Sequence, residues 1–381
     1  MRILTVVGTR PQLIKAAALS PVLRTAHDEI LVDTGQHYDA SLAGDFFVEL
    51  GLPAPDHSLG VGGGTHAEQT GAMLTGLEPI VAATDPEAIL VYGDTNSTLA
   101  GALVAAKASV PLAHVEAGLR SFDRRMPEEV NRLVSDHLAR WRFAPTPAAV
   151  ANLAAEGLVD EVHLTGDLMQ DLASRVSREV ADPAALAAVA VPGLGRALSS
   201  GDYLFATIHR AENREPAAID AWVPLVRAAA SPDRPVILAL HPGTLAALGA
   251  RAADLGPDVV VTTPYGYRSS LTLQLHAAAV LTDSGGVQRE AGWLGVPCLV
   301  LRSSTEWVEL MAASEGRMVL VGLDPDLAAA TLARLAPAEP GETAASAIRR
   351  LAALDVPAAG AAEAITATLG RVSLLASTAA S

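Results

Sequence analysis

The chain contains a single cysteine in 381 residues, Cys298. This excludes an intrachain disulfide and a thiolate metal site. The thiol sits in Pro297-Cys-Leu-Val-Leu, which reads as a buried strand, so it is expected in the core and not as a nucleophile. Positive charge is also scarce, with 27 Lys and Arg against 42 Asp and Glu and a net charge of −15. Nonspecific binding to nucleic acid or to an anionic membrane needs a basic surface and is therefore not expected. An anionic ligand has to be met by a local group of cations. Lysine occurs only at Lys15 and Lys107, which singles out Lys15 because it lies in a motif that can use a compact ammonium. No apolar run reaches membrane-spanning length. The opening MRILTVVGTRP enters a short strand without the apolar region and cleavage site of a signal peptide, so a cytoplasmic location is the default expectation. HExxH, GxGxxG, a GKS/GKT loop and a GxSxG elbow are all missing. Zinc-protease, dinucleotide, Walker-type and serine-hydrolase chemistry are left without support.

What is present fits a compact enzyme: 50% hydrophobic and 18% charged residues, in a length that favours two domains. Short β-branched runs alternate with alanine-rich helical stretches. Ile3–Val7, Ile30–Asp33, Ala88–Tyr92, Pro111–Val115 and Val162–Thr165 read as strands in the first half. Tyr203–Ile208, Pro235–Leu240, Val259–Thr262, Ala279–Thr282, Pro297–Leu301 and Met318–Val321 do so in the second. Alternation of this kind predicts an α/β protein with parallel, doubly wound sheets. The expected division is an N-terminal domain over 1–170, a second over 171–365, and a tail over 366–381 that packs back on the first. Nearly every strand ends in residues that can do chemistry, including Gly93-Asp-Thr-Asn, His114-Val-Glu-Ala-Gly, His209-Arg-Ala-Glu-Asn, His241-Pro-Gly and Asp283-Ser-Gly-Gly. Ligands of open α/β sheets bind beyond the strands' carboxyl ends, so two such domains facing each other would bring these tips into one cleft.

His114 to Arg132, HVEAGLRSFDRRMPEEVNR, concentrates four carboxylates and four arginines behind one strand, as proton transfer on an anionic substrate requires. Glu116 stands at the strand tip. Glu128 and Glu129 follow Pro127, where acids also stabilise a helix start, and Arg132 can pair with Glu128 at i,i+4. Glu129 is read as structural, Glu128 as functional and Asp123 as a loop acid. Asp94 reads as a helix cap or a catalytic acid. Val6-Val-Gly-Thr-Arg-Pro-Gln-Leu-Ile-Lys is a strand-to-helix turn in which Gly8 would let a ligand approach and Arg10 and Lys15 supply cations. Leu281-Thr-Asp-Ser-Gly-Gly-Val-Gln-Arg-Glu is another. There the N–H groups of Ser284, Gly285 and Gly286 can meet a phosphate, and Glu290, one turn on, can accept from a ribose diol. His114, His209 and His241 at strand ends raise the question of a metal, but no ligand spacing supports one.

With GTRPQLIK, TGQH, GDTNST, HVEAGLRS, PEEVNR, HRAEN and LTDSGGVQREAGWLGVP in this order, the chain resembles the non-hydrolysing UDP-N-acetylglucosamine 2-epimerase family from Met1 to about Leu369. The resemblance implies two Rossmann-like domains in the GT-B arrangement, a homodimer, and conversion of UDP-GlcNAc to UDP-ManNAc with neither NAD nor an obligatory metal. It implies elimination of UDP to a 2-acetamidoglucal, followed by re-addition. Asp94, Glu116 and Glu128 match the family's catalytic carboxylates, with Arg132 beside them. Arg10, Lys15 and His209 match residues near the diphosphate and sugar. Ser284 and Gly285 match phosphate ligands, and Glu290 matches the ribose ligand. His209 is counted with the catalytic residues, and His241 and Gly286 with the substrate-binding ones. Two positions depart: Gln12 stands where a glutamate is common, and Trp307 stands where many relatives carry arginine. Relatives acting on UDP-2,3-diacetamido sugars or their uronates share most of these motifs.

Overall fold

The computed structural model of the protein describes residues 1–36, 47–305, 307–335 and 360–379. The histidine of the TGQH motif, His37, lies outside these residues. The chain forms two compact units, Met1–Leu172 with Asp355–Ser381, and Ala173–Leu354. In the first, β1 (Arg2–Val7), β2 (Asp28–Asp33), β3 (His57–Ser58), β4 (Ala88–Tyr92), β5 (Leu112–Val115), β6 (Trp141–Ala144) and β7 (Val162–Leu164) form one parallel sheet of order β3-β2-β1-β4-β5-β6-β7. In the second, β8 (Leu204–Ile208), β9 (Val236–Leu240), β10 (Val259–Thr262), β11 (Ala279–Thr282), β12 (Cys298–Val300) and β13 (Met318–Leu320) take the order β10-β9-β8-β11-β12-β13. Each order reverses once, between β1 and β4 and between β8 and β11, as in a doubly wound Rossmann-like sheet.

Helices cover both faces, so the central strands are buried throughout, as β4, β5 and β9 are, and read as continuous apolar runs without alternation. The first core gathers Leu4, Val6, Val32, Met73, Val91 and Leu112. The second packs Trp222, Val226, Leu238, Leu281 and Leu299. Cys298, on β12, is fully buried, and burial pushes its thiol up to about 12.

β3 and β6 are not among the strands expected from the sequence. The latter, Trp141-Arg-Phe-Ala, is interrupted by a charge. Arg142 is nonetheless buried, donating from Nε to the Asp136 carbonyl at 2.7 Å and from Nη1 to the Asp160 carbonyl at 3.1 Å. The division also differs from the expected one at its C-terminal end. The described helix Ala361–Ala379 packs on α1 (Arg10–Leu23) of the first unit and buries Ala361, Ala362, Ile365 and Leu369. His27 donates from Nε2 to the Thr366 carbonyl at 3.2 Å, and the Asp171 carboxylate accepts from the Gly360 and Ala362 N–H groups at 2.8 and 2.9 Å. Among the described residues no helix is long and apolar enough to cross a membrane.

Candidate active site

In the first unit, the carboxyl ends of the neighbouring strands β4 and β5 carry Asp94 and Glu116. Each carboxylate is matched to a cation from a helix. Glu116 pairs with Lys15, which α1 buries, and Asp94 pairs with Arg132 of α2 (Pro127–Leu138). Glu116 has a φ of +71° and Gly93 one of +63°, so both turns leave the sheet through left-handed backbone. A Cβ on Gly93 would lie 3.3 Å from both Glu116 Oε2 and Lys15 Nζ. The glycine therefore leaves room for the ion pair.

Arg132 does not pair with Glu128. Its Nη1 donates to Glu129 Oε2 at 3.1 Å. Glu129 is buried and accepts from the Ser121 N–H at 2.9 Å, the Ser121 hydroxyl at 3.0 Å and the Phe122 N–H at 3.0 Å. Burial would raise its pKa, but these bonds and Arg132 hold it below the usual carboxylate range. Glu129 thus anchors the arginine-rich loop as well as sitting at a helix start. Burial acts to lower the pKa of Arg132, and Asp94 and Glu129 outweigh it, so the guanidinium is raised and stays charged. Glu128 is exposed on the first turn of α2. Asp123 is a loop acid bridged to Arg125 at 2.8 Å.

Two sequence expectations change at this end of the sheet. Asp94 is not the cap of the following helix Asn96–Lys107; Thr95 is. Gly8 is needed for internal packing, since a Cβ there would overlap the hydroxyls of Thr34 and Ser97. Gln12 is buried and donates from Nε2 to the Tyr92 carbonyl at 2.8 Å and to Thr98 Oγ1 at 3.0 Å. An ionised glutamate could make neither bond. Arg10 opens α1 in an exposed position.

In the second unit the site forms where the strand order reverses. Asp283, fully buried at the end of β11, receives the end of β8. It accepts from the N–H of His209 at 3.1 Å, His209 Nδ1 at 2.8 Å, the N–H of Arg210 at 3.0 Å and Asn213 Nδ2 at 2.7 Å. Burial would raise its pKa, but the bonds from His209, Asn213 and Arg210 depress it below the ordinary aspartate value. With Nδ1–H given to a carboxylate, the Nε2 edge of the half-exposed His209 ring is left to meet a ligand. Asp283 lay within a motif already singled out, yet was not assigned a role. Its signal was an acid between a buried strand and a Gly-Gly turn.

The next residues open helix α3 (Gly285–Leu294). Ser284 is its cap, accepting from the Val287 N–H at 3.3 Å, and its own N–H is donated to Thr282 Oγ1 at 2.9 Å. The expected three N–H groups are therefore two, those of Gly285 and Gly286 on the positive end of the helix. Glu290 is buried, not a surface acid, and takes the Gln274 amide at 2.7 Å. His241 is exposed and caps the helix Pro242–Leu248, accepting from the Gly243 N–H at 3.2 Å. Partial burial, Arg214 and His209 lower its pKa. Trp307 stacks on Arg289, whose Cζ lies 4.2 Å from the ring centroid. Among the described residues no group of three or more His, Cys, Asp or Glu is placed to hold a metal ion.

A family model described as UDP-N-acetylglucosamine 2-epimerase matches residues 22–351. The chain belongs to this epimerase family. It is 43% identical over 333 residues to a UDP-2,3-diacetamido-2,3-dideoxy-D-glucuronate 2-epimerase of Pseudomonas aeruginosa, an alignment covering 86% of this chain and 90% of the relative. It is 38% identical to a UDP-N-acetylglucosamine 2-epimerase of Methanocaldococcus jannaschii, with 84% and 88% covered. The crystal structure of the M. jannaschii UDP-GlcNAc 2-epimerase in complex with UDP-GlcNAc and UDP superposes with a TM-score of 0.74 at 34% identity, covering 93% of this chain and 99% of that one. Membership makes the chain an epimerase acting on a UDP-sugar.

Proposed function

We propose that the protein interconverts UDP-GlcNAc and UDP-ManNAc. The observation that carries this reading is the pair of ion-paired carboxylates, Glu116 with Lys15 and Asp94 with Arg132, on adjacent strand ends. A protein that only bound UDP would have no use for them. The C2 proton of the sugar is not acidic, because no carbonyl sits beside it. The reaction therefore begins with removal of that proton while the C1–O bond to UDP breaks, the C–H electron pair forming the C1=C2 bond of a 2-acetamidoglucal. Asp94, Glu116 and Glu128 are the catalytic carboxylates around C2, with Lys15 and Arg132 setting the charge on two of them and contacting substrate. UDP leaves as an anion. His209, Arg10, His241, the Ser284 hydroxyl and the N–H groups of Gly285 and Gly286 stabilise it by preorganised charge and hydrogen bonding, and Glu290 accepts from the ribose. Protonation of C2 on the opposite face and return of UDP to C1 complete the exchange.

The test is incubation with UDP-GlcNAc in D₂O followed by NMR. Deuterium at C2 of a UDP-ManNAc product supports the proposal. A second reading, epimerisation of a UDP-2,3-diacetamido uronate, is favoured by the 43% relative. It is the conclusion if that sugar turns over and UDP-GlcNAc does not. UDP release that depends on an added acceptor would make the protein a glycosyltransferase, and binding without turnover of either sugar would make it a sensor. The family resemblance extends the proposal to a cytoplasmic location and to a homodimer, and light scattering of the purified chain checks the second.

A further inference from the structure

Behind the two carboxylates lies a buried charge cluster that the proposed chemistry does not use. His114 on β5 and Asp136 on α2 are both fully buried. His114 Nδ1 is 2.7 Å from Asp136 Oδ1, and Nε2 is 2.7 Å from the carbonyl oxygen of Gly93. A carbonyl oxygen only accepts, so Nε2 carries a hydrogen. Asp136 Oδ2 already accepts from the Gly118 N–H at 3.0 Å and from Arg120 Nη1 at 2.7 Å. Burial would raise the pKa of Asp136, but His114 and Arg120 outweigh it and hold the carboxyl below the ordinary aspartate value, so the hydrogen shared between Asp136 and His114 sits on Nδ1. An imidazole with both nitrogens protonated is an imidazolium.

The surrounding charges are consistent with that state. Arg120 turns its other edge to Glu156, donating from Nε and Nη2 at 2.7 and 2.8 Å, and His137 lies 3.6 Å from the same carboxylate. Arg142 caps the Asp136 carbonyl. Asp136 is thus the anion shared by two buried cations, His114 and Arg120, and Glu156 balances the second.

The cluster grips both strand ends of the site. The Gly93 N–H donates to the Val115 carbonyl at 2.9 Å while the Gly93 carbonyl receives His114, so β5 holds the residue just before Asp94 on both sides. Asp136 and Arg120 hold the turn just after Glu116, through Gly118 and through Arg120 itself. We propose that His114, kept as a buried imidazolium by Asp136, is a positioning residue that sets Asp94 and Glu116 in register with each other. The functional part of this proposal rests on the epimerase reading above; the structural part does not.

Neutron diffraction from wild-type crystals at pH 8 is expected to show hydrogen on both nitrogens of His114; one bare nitrogen overturns the imidazolium. In His114→Gln, whose amide cannot bridge Gly93 and Asp136, a crystal structure is expected to show the Gly93–Asp94 turn displaced from Arg132. An unmoved turn overturns the positioning role, whatever the substrate proves to be. On the sugar that the wild type turns over, kcat is expected to fall about 10²-fold, the scale of a roughly 1 Å misplacement. The UDP dissociation constant should stay within about twofold, because the Gly285–Gly286 turn belongs to the other unit. A merely structural role would lower the melting temperature while leaving kcat per folded molecule unchanged, and that result would also overturn the proposal. If His114→Gln fails to fold, Asp136→Asn takes its place, with a neutral His114 and the same fall in kcat expected.

Discussion

Replacing Asp283 with asparagine tests how the second unit's site is held. The change keeps the shape of the side chain and removes its charge. If the retained oxygen is the one facing Arg210 and Asn213, it still accepts from the His209 and Arg210 N–H groups and from Asn213 Nδ2. Each of these bonds loses its charge assistance. A hydrogen bond to a charged group is worth about 1 kcal/mol more than a neutral one, so the loss over three bonds is about 3 kcal/mol. The new amide nitrogen then faces His209 Nδ1, now 2.8 Å from Asp283 Oδ1, and forces the ring to accept there and carry its hydrogen on Nε2. On the proposed mechanism, the ring then loses the carboxylate that backs it opposite the departing diphosphate. Loss of one such preorganised group costs about 10²–10³-fold in kcat. Urea unfolding and steady-state turnover measure the two effects. The pH dependence follows from sign: the folded-state pKa of Asp283 is depressed, so its stabilisation is complete above the unfolded value of about 3.9 and disappears as pH falls through the lower folded value. The gap between wild type and Asp283→Asn should therefore be full at pH 7 and close in acid. A variant with wild-type stability and turnover, or a gap that widens in acid, refutes the reasoning.

Glu116→Gln should lower turnover by about 10²–10⁴-fold and leave UDP affinity, measured by calorimetry, nearly unchanged; near-normal turnover would remove Glu116 from the mechanism. Gly118→Ala should destabilise the first unit by more than about 1–3 kcal/mol, judged by urea midpoint. The backbone there has a φ of +82° and a Cβ would overlap the Ala149 carbonyl oxygen. Cys298, with its thiol pushed up to about 12 by burial, should react with a thiol reagent at pH 8 only at the rate of unfolding; a fast reaction of the native protein would contradict its burial.

Legibility was uneven along the chain, and the pattern has a cause. Strands β4, β10 and β11 match their expected ranges, and most of the others fall within a residue or two, because a strand covered on both faces shows up as an uninterrupted apolar run. Strand β6 escaped because its arginine is buried by bonds to two distant carbonyls, which no local pattern announces. The candidate site shows the same divide. Asp94, Glu116, His209 and Ser284 could be picked out as polar residues at strand ends, but their partners could not. Arg132 lies one helical turn from Glu128, yet it pairs with Glu129 and Asp94.

The sequence alone determined the α/β class, the composition that excludes an intrachain disulfide and argues against a basic binding surface, and the strand ends on which chemistry could be mounted. These follow from apolar periodicity and turn residues, which act between near neighbours in the chain. The tertiary structure alone decided which charges meet. Lys15 reaches Glu116, Arg120 joins His114 through Asp136, and Asp283 receives His209. Ion pairs of this kind depend on which strands lie side by side, and strand order is set by the packing of the whole sheet. The His114 to Arg132 stretch shows the difference: its charges are visible in the sequence, and the fold divides them between ion pairs at the strand ends, loop anchoring and the buried cluster of His114, Asp136 and Arg120.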